Sequence, residues 1–307
     1  MLRHRLLSAF IVISLSLCFV LLDAWFPISN CHGFWIVPLG LYLIFGSAME
    51  CTALFRGNPL GPVDRPALIG CAGIMSAALV PLYWPLFGSP YPSDCLLGKL
   101  GWPMTATVFA LVGCFAWHLR SYRAGNNDFL RAVLSGWIAA YFGLCFSFWI
   151  ATRMVGSSSW GLYLVVGIIT ITKFSDAGAY FAGRCLGKRK LCPNVSPRKT
   201  VEGLIGGMIV ATIVSWVYFG ICAPLTFTEG QVRISWAGII GLGVLLTLSG
   251  LMGDLLQSIF KREVQAKDSG RLLPGLGGLW DVTDSLLPAS AVAYMLVIAD
   301  WIHGPGQ

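Results

Sequence analysis

The chain has 307 residues, of which 56% are hydrophobic and 11% charged, with a formal net charge of +7. A water-soluble domain carries about 25% charged residues, so this composition leaves too little polar surface to face water on every side and excludes an ordinary soluble protein. The remaining solvent is lipid, where every backbone amide must be satisfied within its own segment, which favours helices. The 36 glycines and 12 tryptophans suit that setting, glycine for close helix packing and tryptophan for the membrane interface.

A span needs about 20 apolar residues. Nine candidates follow in chain order, at about 6–26, 34–55, 66–86, 101–119, 132–152, 160–183, 203–223, 234–257 and 285–302. The fold class expected is therefore all-α, a polytopic integral membrane protein with about nine transmembrane helices. The first segment follows Arg3 and Arg5 as a signal peptide would. Asp23-Ala24-Trp25-Phe26 is a poor cleavage site, so the segment is expected to stay as a span.

Basic residues set the orientation. With the N-terminus in the cytoplasm and the spans alternating, only Lys99, Arg153 and Arg233 fall on the opposite side, and Lys173 within a span. The rest of the 21 Lys and Arg lie on the cytoplasmic side. That asymmetry follows the positive-inside rule; it sets topology, and it also places cations where anionic lipid and nucleotide phosphates would gather. The expected location is a bacterial-type inner, cytoplasmic membrane with the active site on the cytoplasmic face. The ten cysteines are scattered. Cys185 and Cys192 lack zinc-site spacing, and a disulfide among Cys31, Cys95 and Cys222 has no support in the pattern.

The chain divides unequally. Residues 1–158 read as a transmembrane scaffold, with polar residues confined to connections such as Arg56-Gly57-Asn58-Pro59; Glu50 and Asp23 near span ends take capping or snorkelling roles by default. Residues 159–307 read as the catalytic region. There ionisable and polar residues enter the spans as Lys173, Ser175, Asp176, Asp254 and Ser258. A charge in a bilayer costs about 2.5–3.5 kcal/mol, so such residues are functional candidates.

Three constellations carry the chemistry. The first runs from Lys173 to Arg184 and closes a span. Asp176 there could hold a metal or hydrogen-bond a nucleotide, or it could simply pair with Lys173 one turn away. The second is Ser196-Pro197-Arg198-Lys199-Thr200-Val201-Glu202-Gly203. It sets Lys199 and Thr200 at a helix start, a suitable anion site, with Glu202 as a potential helix cap. The glycines of a Walker loop are missing.

The third runs from Gly253 to Asp284. Asp254, Ser258, Lys261 and Arg262 follow helical spacing, and Lys267 and Asp268 come next. A glycine turn through Gly275, Gly277 and Gly278 then returns the chain to Asp281 and Asp284. Carboxylates of this kind suit Mg²⁺, with substrate phosphates completing the shell, and the cations would stabilise phosphate charge. The alternative is a solvated basic loop with carboxylates as helix caps. The span at 234–257 is expected to break or kink near Gly250 and Gly253.

The third constellation resembles the signature of the phosphatidate cytidylyltransferases, the CDP-diacylglycerol synthases, which runs S-x-x-K-R-x4-K-D, then G-H-G-G, then D-R-x-D. Ser258, Lys261, Arg262, Lys267, Asp268, Gly275, Gly277, Gly278, Asp281 and Asp284 fit its spacing. The second resembles the family's S-P-x-K-T-x-E-G segment, and the first its S-D-x-G-A-Y stretch through Ser175, Asp176, Gly178, Ala179 and Tyr180. Together these cover about residues 170–287 in the family's order. Leu276 stands where the family usually has His, and Val282 where it has Arg.

The resemblance implies that CTP and phosphatidic acid give CDP-diacylglycerol and pyrophosphate. It implies Ser258, Lys261, Arg262, Lys267 and Asp268 as catalytic, and Ser175, Asp176, Ser196, Lys199, Thr200 and Glu202 as substrate-binding. Asp254, Asp281 and Asp284 are implied as ligands of Mg²⁺, with a second metal ion as an option. Expected partners are the two substrates, membrane lipids and a second copy in a homodimer, with no nucleic acid. Rival readings are a CTP-dependent polyprenol or phytol-type lipid kinase, a transporter using Asp176 and Asp254, and an inactive relative.

Overall fold

The structure is a computed structural model. It describes all residues except 1, 27, 29, 30, 32, 57, 59, 60, 93, 121, 124–126, 229–231, 271, 276 and 307, and the side chains of residues 2–7. Arg271, Leu276, Gly57 and Pro59, with the side chains of Arg3 and Arg5, therefore lie outside the described residues.

In chain order the helices are α1 (Leu2–Trp25), α2 (Ile36–Leu54), α3 (Asp64–Tyr83), α4 (Gly101–Leu119), α5 (Asp128–Arg153) and α6 (Ser158–Leu186). A small hairpin of β1 (Lys190–Cys192) and β2 (Ser196–Thr200) leads into α7 (Val201–Ser215), which continues through a wider π-helical stretch, Trp216–Cys222, into α8 (Ala223–Thr226). Then come β3 (Arg233–Ile234), α9 (Trp236–Glu263), α10 (Leu279–Thr283), α11 (Leu286–Ile298) and β4 (Ile302–His303). Among the described residues nine helices are long and apolar enough to cross a membrane, and the strands form only two short antiparallel pairs. The expectation of an all-α polytopic membrane protein holds. No disulfide joins any of the ten cysteines among the described residues.

The chain forms two compact units, one of residues 1–151 with 263–283, the other of 152–262 with 284–307. In the first, α2 packs on α3 and on α10, and α3 packs on α4. Phe142 of α5 meets Trp280 of α10 edge to face, and both are fully buried. In the second unit the closest pairing is α6 with α7. Small residues make it: Gly203 and Gly207, one turn apart on α7, lie against Ala179 and Ser175 of α6. A Cβ at Gly207 would stand 3.1 Å from Ala179 Cβ and 3.1 Å from the Ser175 carbonyl. This is the small-residue approach that replaces the hydrophobic effect between helices in lipid.

The expected break at Gly250 and Gly253 is absent, because α9 runs unbroken from Trp236 to Glu263. The break falls instead in the last span, at Asp284-Ser285, between α10 and α11. Pro288 explains it. In a continuous helix its amide would bond the carbonyl of Asp284, but proline has no N–H and its ring clashes with that carbonyl. The glycine on α9 receives the displaced group: a Cβ at Gly253 would collide with the Asp284 carbonyl and lie 2.8 Å from the Pro288 ring. Gly250 likewise admits Ser285 and Thr172. These glycines make room for a neighbour within an uninterrupted helix.

Candidate functional site

In the second unit, polar groups from α6, α9, β2 and the Asp284-Ser285 break come together. Lys173 and Asp176 lie one turn apart on α6, so the ammonium stands 3.5 Å from the carboxylate. Ser285 links to both: its hydroxyl donates to Asp176 at 2.8 Å and accepts from Lys173 at 2.9 Å. One proton and two lone pairs permit both bonds at once. Asp284 beside it is 8% exposed, accepts the Ser285 amide at 2.6 Å, and interacts electrostatically with Lys173, Asp254 and Asp176. Ser175 turns the other way, buried, and donates to Thr247 of α9 at 2.8 Å.

Asp254 projects from α9. Lys199 reaches it from β2 at 2.6 Å, and Ser258, one turn on, donates to it at 3.4 Å. The side chains of Lys199 and Asp254 are 20% and 39% exposed, so the pair is shielded but open to a solute. Asp176, Asp254 and Asp284 thus gather carboxyl oxygens beside the ammonium groups of Lys173 and Lys199. A hard cation fits that donor type. Among the described residues no three His, Cys, Asp or Glu side chains of either unit group closely enough to enclose a metal by themselves. Mg²⁺ characteristically takes one or two carboxylates and completes its shell with waters and phosphates.

The remaining predicted residues of this unit surround the start of α7. Ser196 opens β2 and pairs with Cys192 across the hairpin. Thr200 is the helix cap: its hydroxyl accepts the Gly203 amide at 3.1 Å. The Glu202 carboxylate meets its own amide in the first turn of α7 and also reaches outside the helix. It accepts the Lys188 amide at 3.0 Å and the Arg189 amide at 3.1 Å, tying the loop after α6 to the first turn of α7. Lys261 donates to Gln257 at 2.8 Å, and Arg262 to the Val195 carbonyl at 3.2 Å. The Lys261 bond stays within α9, whereas the Arg262 bond ties α9 to the turn of the hairpin.

Asp281 belongs to the first unit, with Lys267 and Asp268, which are exposed in the connection after α9. One oxygen of Asp281 accepts the Ser269 amide at 2.8 Å, the Ser269 hydroxyl at 3.0 Å and the Gly278 amide at 2.8 Å. The turn it closes needs a left-handed residue, and Gly277 supplies it at φ 97°.

Sequence reasoning did not single out Thr247, Ser269 or Ser285. For Ser285 a signal existed, since Pro288 marks the interruption that exposes it. Thr247 and Ser269 have partners too distant in sequence for spacing to reveal.

The family model described as "Cytidylyltransferase family" matches residues 3–299. An uncharacterized protein YnbB of Escherichia coli (strain K12) is 35% identical over 168 residues, covering 55% of this chain and 53% of that protein. A phosphatidate cytidylyltransferase of Bacillus subtilis (strain 168) is 36% identical over 159 residues, 52% of this chain and 55% of that one. For a phosphatidate cytidylyltransferase of Staphylococcus haemolyticus (strain JCSC1435) the figures are 34% over 250 residues, 80% and 86%. The chain thus spans little more than half the length of the first two relatives and most of the third. The match runs through nearly every helix described above, and it establishes that the chain belongs to the cytidylyltransferase family.

Proposed function

We propose that this chain transfers the cytidylyl group of CTP to phosphatidic acid, giving CDP-diacylglycerol and pyrophosphate, at the cytoplasmic face of the inner membrane. The observation that carries the reading is the cluster of Asp176, Asp254 and Asp284 with Lys173, Lys199 and Ser285, built where spans meet a basic connection. Residues 159–307 supply most of that chemistry and residues 1–158 serve mainly as scaffold.

The nucleophile is an oxygen of the lipid phosphate. It is already ionised near neutral pH, so the site has no need of a strong general base. That oxygen forms a bond to the α-phosphorus of CTP as the bond from the α-phosphorus to the bridging oxygen of pyrophosphate breaks. The departing pyrophosphate keeps the electron pair. Catalysis of this kind is positioning and charge neutralisation. Asp254 and Asp284 are the expected ligands of Mg²⁺ in the second unit; the assignment of Asp281 as a ligand rests on the resemblance alone. When bound, the ion would neutralise nucleotide phosphates and orient the α-phosphorus. Lys199 is placed to exchange its carboxylate partner for a phosphate oxygen. Ser285 holds Lys173 and Asp176 in register.

The test uses purified protein in detergent with phosphatidic acid, Mg²⁺ and CTP labelled either in the cytidine or in the γ-phosphate. Cytidine label in the lipid fraction, with release of pyrophosphate, is the expected result. Transfer of the γ-label alone would make the protein a lipid kinase instead, and no transfer from either would remove both readings.

A further inference from the structure

A carboxylate from the N-terminal half organises part of the machinery. Glu50 lies one turn before the end of α2. Its two oxygens accept the Leu279 amide at 2.9 Å, the Trp280 amide at 3.0 Å and the Ser269 hydroxyl at 3.0 Å. The first amides of a helix have no partner within it, and here those of α10 are answered by a side chain from another helix. The negative charge also meets the positive end of the helix. Asp281 takes the next donors along, the amides of Ser269 and Gly278. The Ser269 hydroxyl stands 3.0 Å from both carboxylates and, with one proton, serves one at a time.

The loop is shaped around this pair. A Cβ at Gly270 would come within 2.5 Å of a Glu50 oxygen, and one at Gly278 within 2.5 Å of the Ser269 hydroxyl. Ser269 is buried. Between them, Glu50 and Asp281 fix both ends of a segment that starts just after Lys267 and Asp268 and closes on Asp281 itself. All of these contacts lie within the first unit.

We propose that Glu50 is a positioning residue for cytidylyl transfer: it holds Ser269, Leu279 and Trp280 so that Lys267, Asp268 and Asp281 keep one arrangement. The inference rests on the activity proposed above. Glutamine at position 50 keeps the size but offers one acceptor oxygen where two are used, and turns an NH₂ donor toward a backbone donor. The loop then loosens while α2 stays in place.

The test compares wild type, Glu50→Gln and Glu50→Asp at equal protein levels, reading kcat, KM for each substrate, thermal midpoint in detergent, and amide hydrogen exchange over 269–281. Expected for Glu50→Gln is a kcat lower by about 10- to 100-fold, the scale of losing fixed geometry. KM for phosphatidic acid and the thermal midpoint stay unchanged, and exchange accelerates at Leu279 and Trp280. Glu50→Asp, which keeps the charge but stops short of the amides, should fall between. Wild-type kcat in Glu50→Gln overturns the proposal. So does loss of activity in step with the thermal midpoint in both variants, which would make Glu50 a fold determinant only. Should the wild-type protein transfer no cytidylyl group, the activity reading fails by itself. The exchange data still decide the anchoring: acceleration confined to 269–281 supports it, and unchanged exchange overturns it.

Discussion

Lys199 and Asp254 are 55 residues apart in sequence and 2.6 Å apart in space. An aspartate inside a span costs about 2.5–3.5 kcal/mol if left alone, so a close ammonium is the simplest physical remedy. In the proposed reaction the same two groups handle phosphate charge. Lys199→Gln and Asp254→Asn should each lower kcat/KM by about 100-fold, the scale of removing one charge-stabilising group. Because the residues act on each other, the double variant should lose much less than the product of the two single losses. Steady-state rates of the four proteins check this; multiplicative losses would show that the residues act independently. Spacing alone exposed the neighbouring Lys173–Asp176 pair, since residues three apart on a helix must meet. No spacing rule reaches from β2 to α9, and for that reason Lys199 reads in the sequence only as an anion ligand at a helix start. Glu50 reads in the sequence as a capping or snorkelling residue, and it does answer a helix start, but which helix stayed hidden because its partners lie more than 200 residues on.

At the scale of elements, apolar length made all nine spans legible, to within a few residues at most ends. Two features were not. The hairpin of β1 and β2 is too short and polar to show strand periodicity. The broken span was assigned to the wrong helix, because glycines drew the expectation to α9 while the proline that breaks the chain sits in α11. Glycine in these helices serves close approach instead. Gly207→Leu should therefore force α6 and α7 apart and cost about 1–3 kcal/mol, as overpacking does. This would be seen as a lower thermal midpoint in detergent. Ile209, two residues along and 56% exposed, should accept Leu with no measurable change. Equal effects at the two positions would refute the packing role.

For the whole molecule, the bias of Lys and Arg predicts an N-terminus in the cytoplasm and a C-terminus on the opposite side. Single cysteines introduced at positions 2 and 305, with the exposed Cys18 and Cys185 replaced by serine, should react with a membrane-impermeant reagent from opposite sides. Labelling of both from one side would require a different number of crossings. Neither compact unit is a continuous stretch of chain, so a boundary drawn once along the sequence cannot reproduce them. This interleaving bears on biosynthesis. Glu50 leaves the ribosome long before the two helix-start amides it binds, which follow 229 and 230 residues later. At about 5–20 residues per second, its carboxylate waits roughly 10–50 s for them. Throughout that interval water, lipid headgroups or the insertion machinery must solvate it, and the first unit closes only once nearly the entire chain has been made.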